Sequence, residues 1–386
     1  MRTAPEYAPY PLAQAPNYRR WSVVGGVLLV VSLGSLRFLH DNSASISADN
    51  HNEWRWGVLG LMLVSAIWLL AFISRVVYYR LGWHTGRWYL EEVEQIQNAW
   101  WAHHRQSIAL IDAVLLGPSC TTRQHVHQLF SPDHQPPAPE PTPEGAMIRL
   151  PHVSGADPVA REHQLARLLA LQWDEQRDKT VLLQPLRCYW QGSASAWQVF
   201  VAQMTQCCPQ VQLPDTPEPW QGLNSLDTII DQLQGAPDEI RVLCAGCQST
   251  TPGKDRLLPA GEAAVLWWLG PQGDVRLSRA EWFTAEQDDL ATVAQRALRQ
   301  SALEEAPSAC VRFSQPDIAG LPLDGWSPRP LLQDAHFGAL ENLEFMLVLT
   351  LAAGYAEKHG EPCAWLARDP YHTLVLGVVQ ADESSR

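Results

Sequence analysis

The sequence has too little positive charge for a protein that binds nucleic acid. Its 386 residues include 28 lysines and arginines against 41 aspartates and glutamates, which gives a formal net charge of −13 at pH 7. Binding to phosphates needs a basic face, so this acidity disfavours a nucleic-acid partner. The eight cysteines are scattered and lack the density of a disulfide framework, which favours free thiols in a reducing compartment.

The sequence also lacks the common fingerprints of nucleotide-binding and hydrolase sites. A phosphate-binding loop that ended at Gly253-Lys254 would need glycine at position 248 and serine or threonine at position 255, but the chain has Gln248 and Asp255 there. Neither GxSxG nor GxGxxG occurs in the chain. No catalytic residue is therefore predicted from these motifs.

Cys244 and Cys247 form a CxxC pair after an apolar segment, where a redox pair or half of a metal site would stand. A tetrahedral metal site needs four ligands, and no second pair lies at a suitable spacing. A redox motif usually opens a helix, whereas the residues after Cys247 are typical of a loop. We favour structural cysteines, with a redox or a metal role as the alternatives, and we predict neither a cofactor nor a metal.

Two long apolar runs lie near the N-terminus, at residues 21–39 and 57–74. Each is about as long as a helix that crosses ~30 Å of hydrocarbon, where a helix satisfies its own backbone polar groups. Tryptophan and tyrosine stand near the ends of the runs, as at a membrane interface. The sequence predicts a flexible tail at residues 1–20 and a two-span membrane hairpin at residues 21–80. The alternative is a pair of buried helices in a soluble core.

Pairs of basic residues flank the outer ends of the two runs, while Arg37 lies near the inner end of the first run. Arg19 and Arg20 precede the first run, Arg75 and Arg80 follow the second, and the loop at residues 40–55 is acidic. Under the positive-inside rule the N-terminus and the C-terminal domain are cytoplasmic, and the loop faces the other side.

Three segments follow the hairpin. Residues 88–116 carry apolar side chains at helical spacing, which predicts a long amphipathic helix in a juxtamembrane segment at residues 81–130. This helix could pair with a second copy of the chain. The proline-rich residues 131–145 predict an extended linker. Residues 146–386 alternate between strand-like and helix-like segments, which favours an α/β domain on a mostly buried mixed sheet.

The elements of this domain can be placed from the same alternation. Asn224 and Ser225 are the candidate caps of one short helix. Residues 340–358 are apolar enough for a third membrane span, but Glu341 and Glu344 favour a buried core helix. The expected strands are 147–153, 180–186, 239–245, 262–269, 309–313, 363–367 and 373–379, and the expected helices are 158–176, 193–207, 226–233, 285–301 and 340–358.

The C-terminal half resembles a thiolase-like domain of the ketosynthase kind. Residues 238–270 look like the strand and loop that lead to the GEGA strand of such domains, and QDAHFGALENLE with the later ARDPYHTLVLGVV looks like their ending. The resemblance places His336 at the position of a catalytic histidine. The chain lacks a nucleophile segment of the DTACSS kind and an HGTGT-like segment before His336. The resemblance therefore implies a degenerate copy that serves as a scaffold.

The order of segments resembles a second group, the bacterial membrane proteins encoded with type VI secretion clusters, including the lipase-adaptor group. This resemblance rests on the tail, the two spans, the aromatic helix NAWWAHHRQSIALIDAVLLGP, the proline-rich break and the large α/β domain. It implies an accessory protein of the bacterial inner membrane whose partner is a secretion effector or a component of the machinery.

Three functions follow from these observations. The first is a membrane-anchored, non-enzymatic adaptor with a protein partner. The second is a membrane-tethered enzyme that acts on acyl or lipid substrates, in which His336 would react together with Cys120, Cys188 or Cys244. The third is an inner-membrane immunity protein against a secreted toxin.

The predicted orientation of the hairpin depends on four arginines. Replacing Arg19, Arg20, Arg75 and Arg80 together by glutamate should invert or scramble the hairpin, because the basic flanks that hold it in the cytoplasm are lost. Reporter fusions at both ends of the chain measure this. An unchanged topology in the fourfold variant would contradict the prediction.

Overall fold

The computed structural model describes residues 4–41, 51–131, 133–155, 157–177, 184–315, 326 and 328–382. They fall into two units, residues 1–100 and residues 101–386; we call the described part of the second unit the α/β body. The helices are α1 (Tyr18–Asp41), α2 (His51–His104), α3 (Arg123–Gln128), α4 (Pro158–Gln176), α5 (Ala194–Cys207), α6 (Leu223–Leu233), α7 (Leu290–Gln300), α8 (Asp334–Phe337) and α9 (Glu344–His359).

The strands lie in the α/β body and are mostly short. They are β1 (Ser107–Leu116), β2 (Glu140–Thr142), β3 (Gly145–Met147), β4 (Pro185–Gln191), β5 (Glu218–Pro219), β6 (Arg241–Ser249), β7 (Glu262–Gly270), β8 (Val275–Ser278), β9 (Glu281–Phe283), β10 (Ala309–Arg312), β11 (Pro330–Leu332), β12 (Cys363–Ala367) and β13 (Leu374–Ala381).

In the first unit, helices α1 and α2 contact each other through aromatic side chains. The ring of Trp21 in α1 lies 6.0 Å from that of Trp68 and 5.5 Å from that of Phe72. Helix α2 is long and apolar enough to cross a membrane, and it is the one such helix in the described part of the chain. The predicted two-span hairpin therefore stays a prediction, and residues 42–50 of its loop lie outside the described residues.

Helix α2 differs from the helix predicted over residues 88–116, because it ends at His104 and Ser107–Leu116 forms strand β1. Strand β1 pairs antiparallel with β7 on one edge and with β8 on the other. Leu110 and Leu115 enter one core, while Val114 and Leu116 enter another. A strand buried on both faces has an almost continuous apolar sequence, so its local pattern does not distinguish it from a helix.

The large mixed sheet of the α/β body consists of two halves with the same topology. The first half has the strand order β5-β4-β6-β7-β1 and the second has the order β11-β10-β12-β13-β8, and the halves join where β1 pairs with β8. In each half the first three strands are parallel, and the last two are antiparallel to their neighbours. The α/β body is thus an internal structural duplication.

Helix α9 lies between the two halves, and its residues from Glu344 to Ala356 are all buried. It shares one core with α6 and with the inner faces of both half-sheets. Helices α4 and α5 pack on the outer face of the first half, and α7 packs on the outer face of the second. The layers therefore follow one another in this order. Helices α4 and α5 cover the first half-sheet, helices α6 and α9 lie between the two half-sheets, and helix α7 covers the second half-sheet. The prediction of a buried core helix at residues 340–358 is confirmed, although the helix begins at Glu344.

Most of the predicted elements of the α/β body are present, and the differences have local causes. The segment at 147–153 is a strand only up to Met147, because the backbone N–H of Leu150 donates to the Glu262 carboxylate at 2.7 Å. Helix α6 begins after Gly222, upstream of the predicted caps. Part of the proline-rich linker pairs as the β2–β3 hairpin. Most of the predicted strand at 180–186 lies outside the described residues.

A buried ion-pair cluster fixes the chain before α4 to strand β7. The side chain of Glu262 is fully buried and accepts hydrogen bonds from Arg161 at 2.6 and 2.7 Å and from Arg149 at 3.1 Å. Buried charges are tolerated only when they are paired and hydrogen-bonded. Glu262 therefore holds two guanidinium groups at this position.

Replacing Glu262 by glutamine should lower the free energy of unfolding by about 3 kcal/mol or more, because two largely buried arginine side chains, 9% and 14% exposed, lose their counter-charge. Thermal unfolding of the full chain in detergent, followed by tryptophan fluorescence, measures the loss. Glu218→Gln is the matched control. It breaks the pair with Arg187, in which both side chains are more than two-fifths exposed, and should cost less than about 1 kcal/mol. Equal losses in the two variants would contradict the prediction.

Candidate active site

A cleft of about 340 Å³ lies at the carboxyl ends of β10 and β12, beside the start of α9. In α/β folds, ligands bind outside the carboxyl ends of the strands. Its apolar lining includes Leu257, Leu258, Phe313 and Leu340, of which Leu257 is 76% exposed and Phe313 and Leu340 are each 2% exposed. The polar side chains that line the cleft include Arg256, Glu341, Glu344 and Arg368. The cleft therefore offers an apolar surface next to a small set of charged groups.

Glu344 is the first residue of α9 and the most deeply buried charged group that lines the cleft. Its Oε1 accepts a hydrogen bond from the backbone N–H of Arg368 at 3.0 Å and another from Nε2 of Gln315 at 2.9 Å. Burial raises the pKa of the Glu344 carboxyl to about 7, although these donors and the Arg368 charge act in the opposite direction. A carboxyl group with this pKa can donate or accept a proton near neutral pH.

Two arginines stand at the rim of the same cleft. Nε of Arg368 donates to Oε1 of Gln315 at 2.6 Å and lies 4.0 Å from Oε2 of Glu344. Arg256 pairs with Glu341 at 2.7 Å, and both of these side chains are partly exposed. Because acidic groups accompany both arginines, the cleft is not a strongly positive phosphate site. The Arg368 guanidinium is nevertheless close enough to Glu344 for both to face one small polar group.

The start of the other inner helix, α6, is occupied by protein groups. Gly222 has a φ of 58°, and a Cβ built there would lie 2.1 Å from Oδ1 of Asp369. The same Oδ1 accepts a hydrogen bond from the backbone N–H of Leu223 at 3.0 Å, and Oδ2 of Asp369 lies 2.7 Å from Nδ1 of His372. Asp369 thus caps the helix from the β12–β13 loop. While Asp369 occupies this place, a residue with a side chain cannot replace Gly222.

His336, the histidine singled out by the sequence, lies in α8 and is not among the residues that line the cleft. Its Nδ1 lies 3.1 Å from Oγ of Ser119, and its ring centroid lies 5.3 Å from that of His134. Burial, with a smaller effect of His134, lowers the pKa of His336 to about 4. The imidazole is therefore neutral at physiological pH and can accept a hydrogen bond from Ser119.

The candidate cysteines do not supply a reactive thiolate in the α/β body. Cys120, Cys188 and Cys244 are buried, and burial raises the pKa of each thiol, that of Cys188 to about 12. Cys244 and Cys247 belong to the cores on opposite faces of β6, as residues three apart in a strand must. Their side chains therefore cannot form a redox pair or share a metal ion in this fold.

The arrangement of the layers has counterparts among solved structures. The ishigamide ketosynthase/chain length factor aligns with a TM-score of 0.50 and 16% identity, over 71% of this chain and 99% of that one. The ketosynthase from module 1 of the bacillaene synthase of Bacillus amyloliquefaciens FZB42 aligns with a TM-score of 0.53 and 11% identity, over 72% of this chain and 74% of that one. The α/β body has the ketosynthase fold. No family model and no curated protein matches the chain.

This finding confirms the thiolase-like part of the sequence analysis and corrects its first functional expectation. The expectation of a non-enzymatic adaptor was wrong, because the structures that align with the α/β body are ketosynthases. The resemblance to type VI secretion proteins gains no support from the comparisons. At 16% identity or less the likeness shows the fold, and the chemistry has to be argued from the residues of the cleft.

Local sequence pattern does not mark Glu344 as a functional residue. Together with Glu341 it is a charged residue that interrupts an apolar segment. The available indication was an acidic residue at the start of a helix that is mostly apolar up to Ala356. The burial that sets the pKa of Glu344 comes from strands that are distant in the chain, so local pattern does not reveal it.

Replacing Glu344 by glutamine should change how stability depends on pH. A carboxyl group whose pKa rises from 4.5 when unfolded to about 7 when folded makes the folded state bind more protons between these values. Stability therefore falls as pH rises through this window. Glutamine does not ionise. Between pH 4.5 and pH 8 the free energy of unfolding of the variant should therefore rise by about 3 kcal/mol relative to that of the wild type.

Thermal unfolding of both full-length proteins in detergent across this pH range tests the prediction. The control is Glu341→Gln, which changes an exposed carboxylate at the same cleft. A constant difference between Glu344→Gln and the wild type across the range would show that Glu344 is already ionised at low pH and would contradict the account.

Proposed function

We propose that this protein is a membrane-anchored enzyme that acts on acyl substrates by proton transfer next to the acyl carbonyl, without a covalent thiol intermediate. The observation that carries the proposal is the Glu344 carboxyl, with a pKa of about 7, in a cleft shared with Arg368. The ketosynthase fold supports an acyl substrate, although it does not determine the reaction.

In the proposed reaction Glu344 acts as the base and Arg368 as the hydrogen-bond donor. In its ionised form Glu344 accepts a proton from the carbon beside the carbonyl, and the electron pair moves to the carbonyl oxygen. The guanidinium of Arg368, 4.0 Å from Glu344 at Nε, donates hydrogen bonds to the enolate oxygen that forms. The proton then returns from Glu344 to carbon. The step needs no external oxidant or co-reactant.

The apolar residues that line the cleft supply the binding surface for the acyl chain, and Leu257 is the most exposed of them. Leu257 and Leu258 lie on one segment, and Phe313 and Leu340 lie on two others. An apolar lining with a few convergent polar groups is typical of small-molecule sites. The acyl chain would pack against these side chains while its carbonyl faces Arg368.

A covalent acyl-thiol route is not part of the proposal. In the described α/β body the start of α6 carries Gly222, which lies against the Asp369 carboxylate, and offers no thiol. The cysteines considered for this role, Cys120, Cys188 and Cys244, are buried. Burial raises their pKa values, which disfavours the thiolate that acyl transfer needs. Proton transfer at Glu344 uses groups that are already in place.

The proposed location is the bacterial inner membrane, with two spans and a cytoplasmic α/β body. Helix α2 supports this because it meets the length and composition of a span and its apolar side chains are exposed. Helix α1 supports the second span through its exposed valines and leucines. A protein partner and a homodimer also stay predictions.

The proposed reaction predicts exchange of hydrogen for deuterium at the carbon next to a thioester carbonyl. Butyryl-CoA incubated with the full-length protein in D₂O should gain deuterium there, as measured by mass spectrometry. Glu344→Gln should slow the exchange by roughly a hundredfold or more, because a general base contributes about that factor.

Glu341→Gln is the control, since Glu341 lies at the rim of the same cleft and is half-exposed. It should leave the exchange rate within about twofold of the wild type. Exchange no faster with the wild type than with Glu344→Gln would overturn the proposed reaction. The result would leave the assignment of the fold unaffected.

A further inference from the structure

Three potential metal ligands meet where the end of α5 packs on the end of α4, far in sequence from the cleft. Sγ of Cys207, Sγ of Cys208 and a carboxylate oxygen of Asp174 all lie within 4.8 Å of one another. The two sulfur atoms are 3.7 Å apart, and Sγ of Cys208 is 3.2 Å from Oδ1 of Asp174. The proposed function does not use these residues.

The backbone explains why two adjacent cysteines can share a ligand. Within a helix, neighbouring side chains point in different directions. Cys207 is the last residue of α5, and Cys208 leaves the helical conformation with φ −133° and ψ 63°. This change of direction at the end of the helix brings both sulfur atoms to the same side, facing Asp174 on α4.

We propose that Cys207, Cys208 and Asp174 bind a zinc ion with an open fourth position. Sulfur atoms at 2.3 Å from a tetrahedral ion lie about 3.8 Å apart, close to the spacing found here. Two thiolates and one carboxylate match the ligand preference of zinc. Cys207 is partly exposed and the side chain of Asp174 is 22% exposed, so solvent reaches the ligands and can supply the fourth.

The charges around the ligands balance when a divalent ion is bound. Two thiolates and the Asp174 carboxylate carry three negative charges, which the ion and the Arg177 guanidinium offset. Arg177 lies 3.0 Å from Oδ1 of Asp174 and stays paired with it in the structure. Thiol ligands lose their protons when a metal ion binds, so binding should strengthen as pH rises.

Cadmium is a suitable probe because thiolate-to-cadmium charge transfer gives an ultraviolet absorption band. The full-length protein in detergent, freshly reduced and free of metal, should bind one Cd²⁺ per chain with this band. Cys207→Ser should abolish the band, and Asp174→Asn should weaken binding by roughly tenfold or more. Cys188→Ala is the control, since Cys188 lies outside the cluster, and it should keep the band.

Alkylation gives a second readout that does not depend on a variant's folding. Cys207 is the one cysteine of the chain that is not fully buried, so iodoacetamide should modify it in the metal-free protein. One equivalent of Zn²⁺ should protect it. A band unchanged in Cys207→Ser, or modification of Cys207 at the same rate with and without Zn²⁺, would overturn the proposal.

Discussion

The burial of helix α9 on all sides is the constraint on which the rest of the α/β body depends. A helix that is apolar all round is stable only inside a core, and α9 gains this core from the inner faces of both half-sheets. The polar side chains of α9 have hydrogen-bond partners inside the core. Nε1 of Trp267 donates to Oγ1 of Thr350 at 2.7 Å, and the Glu344 carboxyl accepts hydrogen bonds from the backbone N–H of Arg368 and from Gln315. The order of the layers in the α/β body results from the need to enclose α9.

The duplication of the sheet explains why the two inner helices can be compared directly. Helix α6 of the first half and α9 of the second occupy the same place in the strand order. At the start of α6 the Asp369 carboxylate fills the space beside Gly222. At the start of α9 a carboxyl group is instead buried beside a cleft. The same position in the fold thus serves as a cap in one half and as a candidate acid–base group in the other.

Much of the fold could be predicted from the sequence where local pattern and burial agree. Helix α4 has the predicted bounds, and β7, which is apolar apart from Glu262, lies where a strand was expected. Strand β1 was mistaken for a helix because its edge partners β7 and β8, and the helices that cover its two faces, come from later segments of the chain. Glu344 was missed for the same reason, since its pKa depends on residues far away in the chain.

The candidate histidine shows the limit of a motif without its surroundings. The resemblance placed His336 at a catalytic position, but in the structure it meets Ser119 and His134 outside the lining of the cleft. The account therefore depends on the protonation of Glu344. Isotope-edited infrared difference spectroscopy of the wild type against Glu344→Gln would follow the C=O stretch of the protonated carboxyl directly. The account predicts a midpoint near pH 7, and a midpoint near the ordinary glutamate value of 4.5 would contradict it.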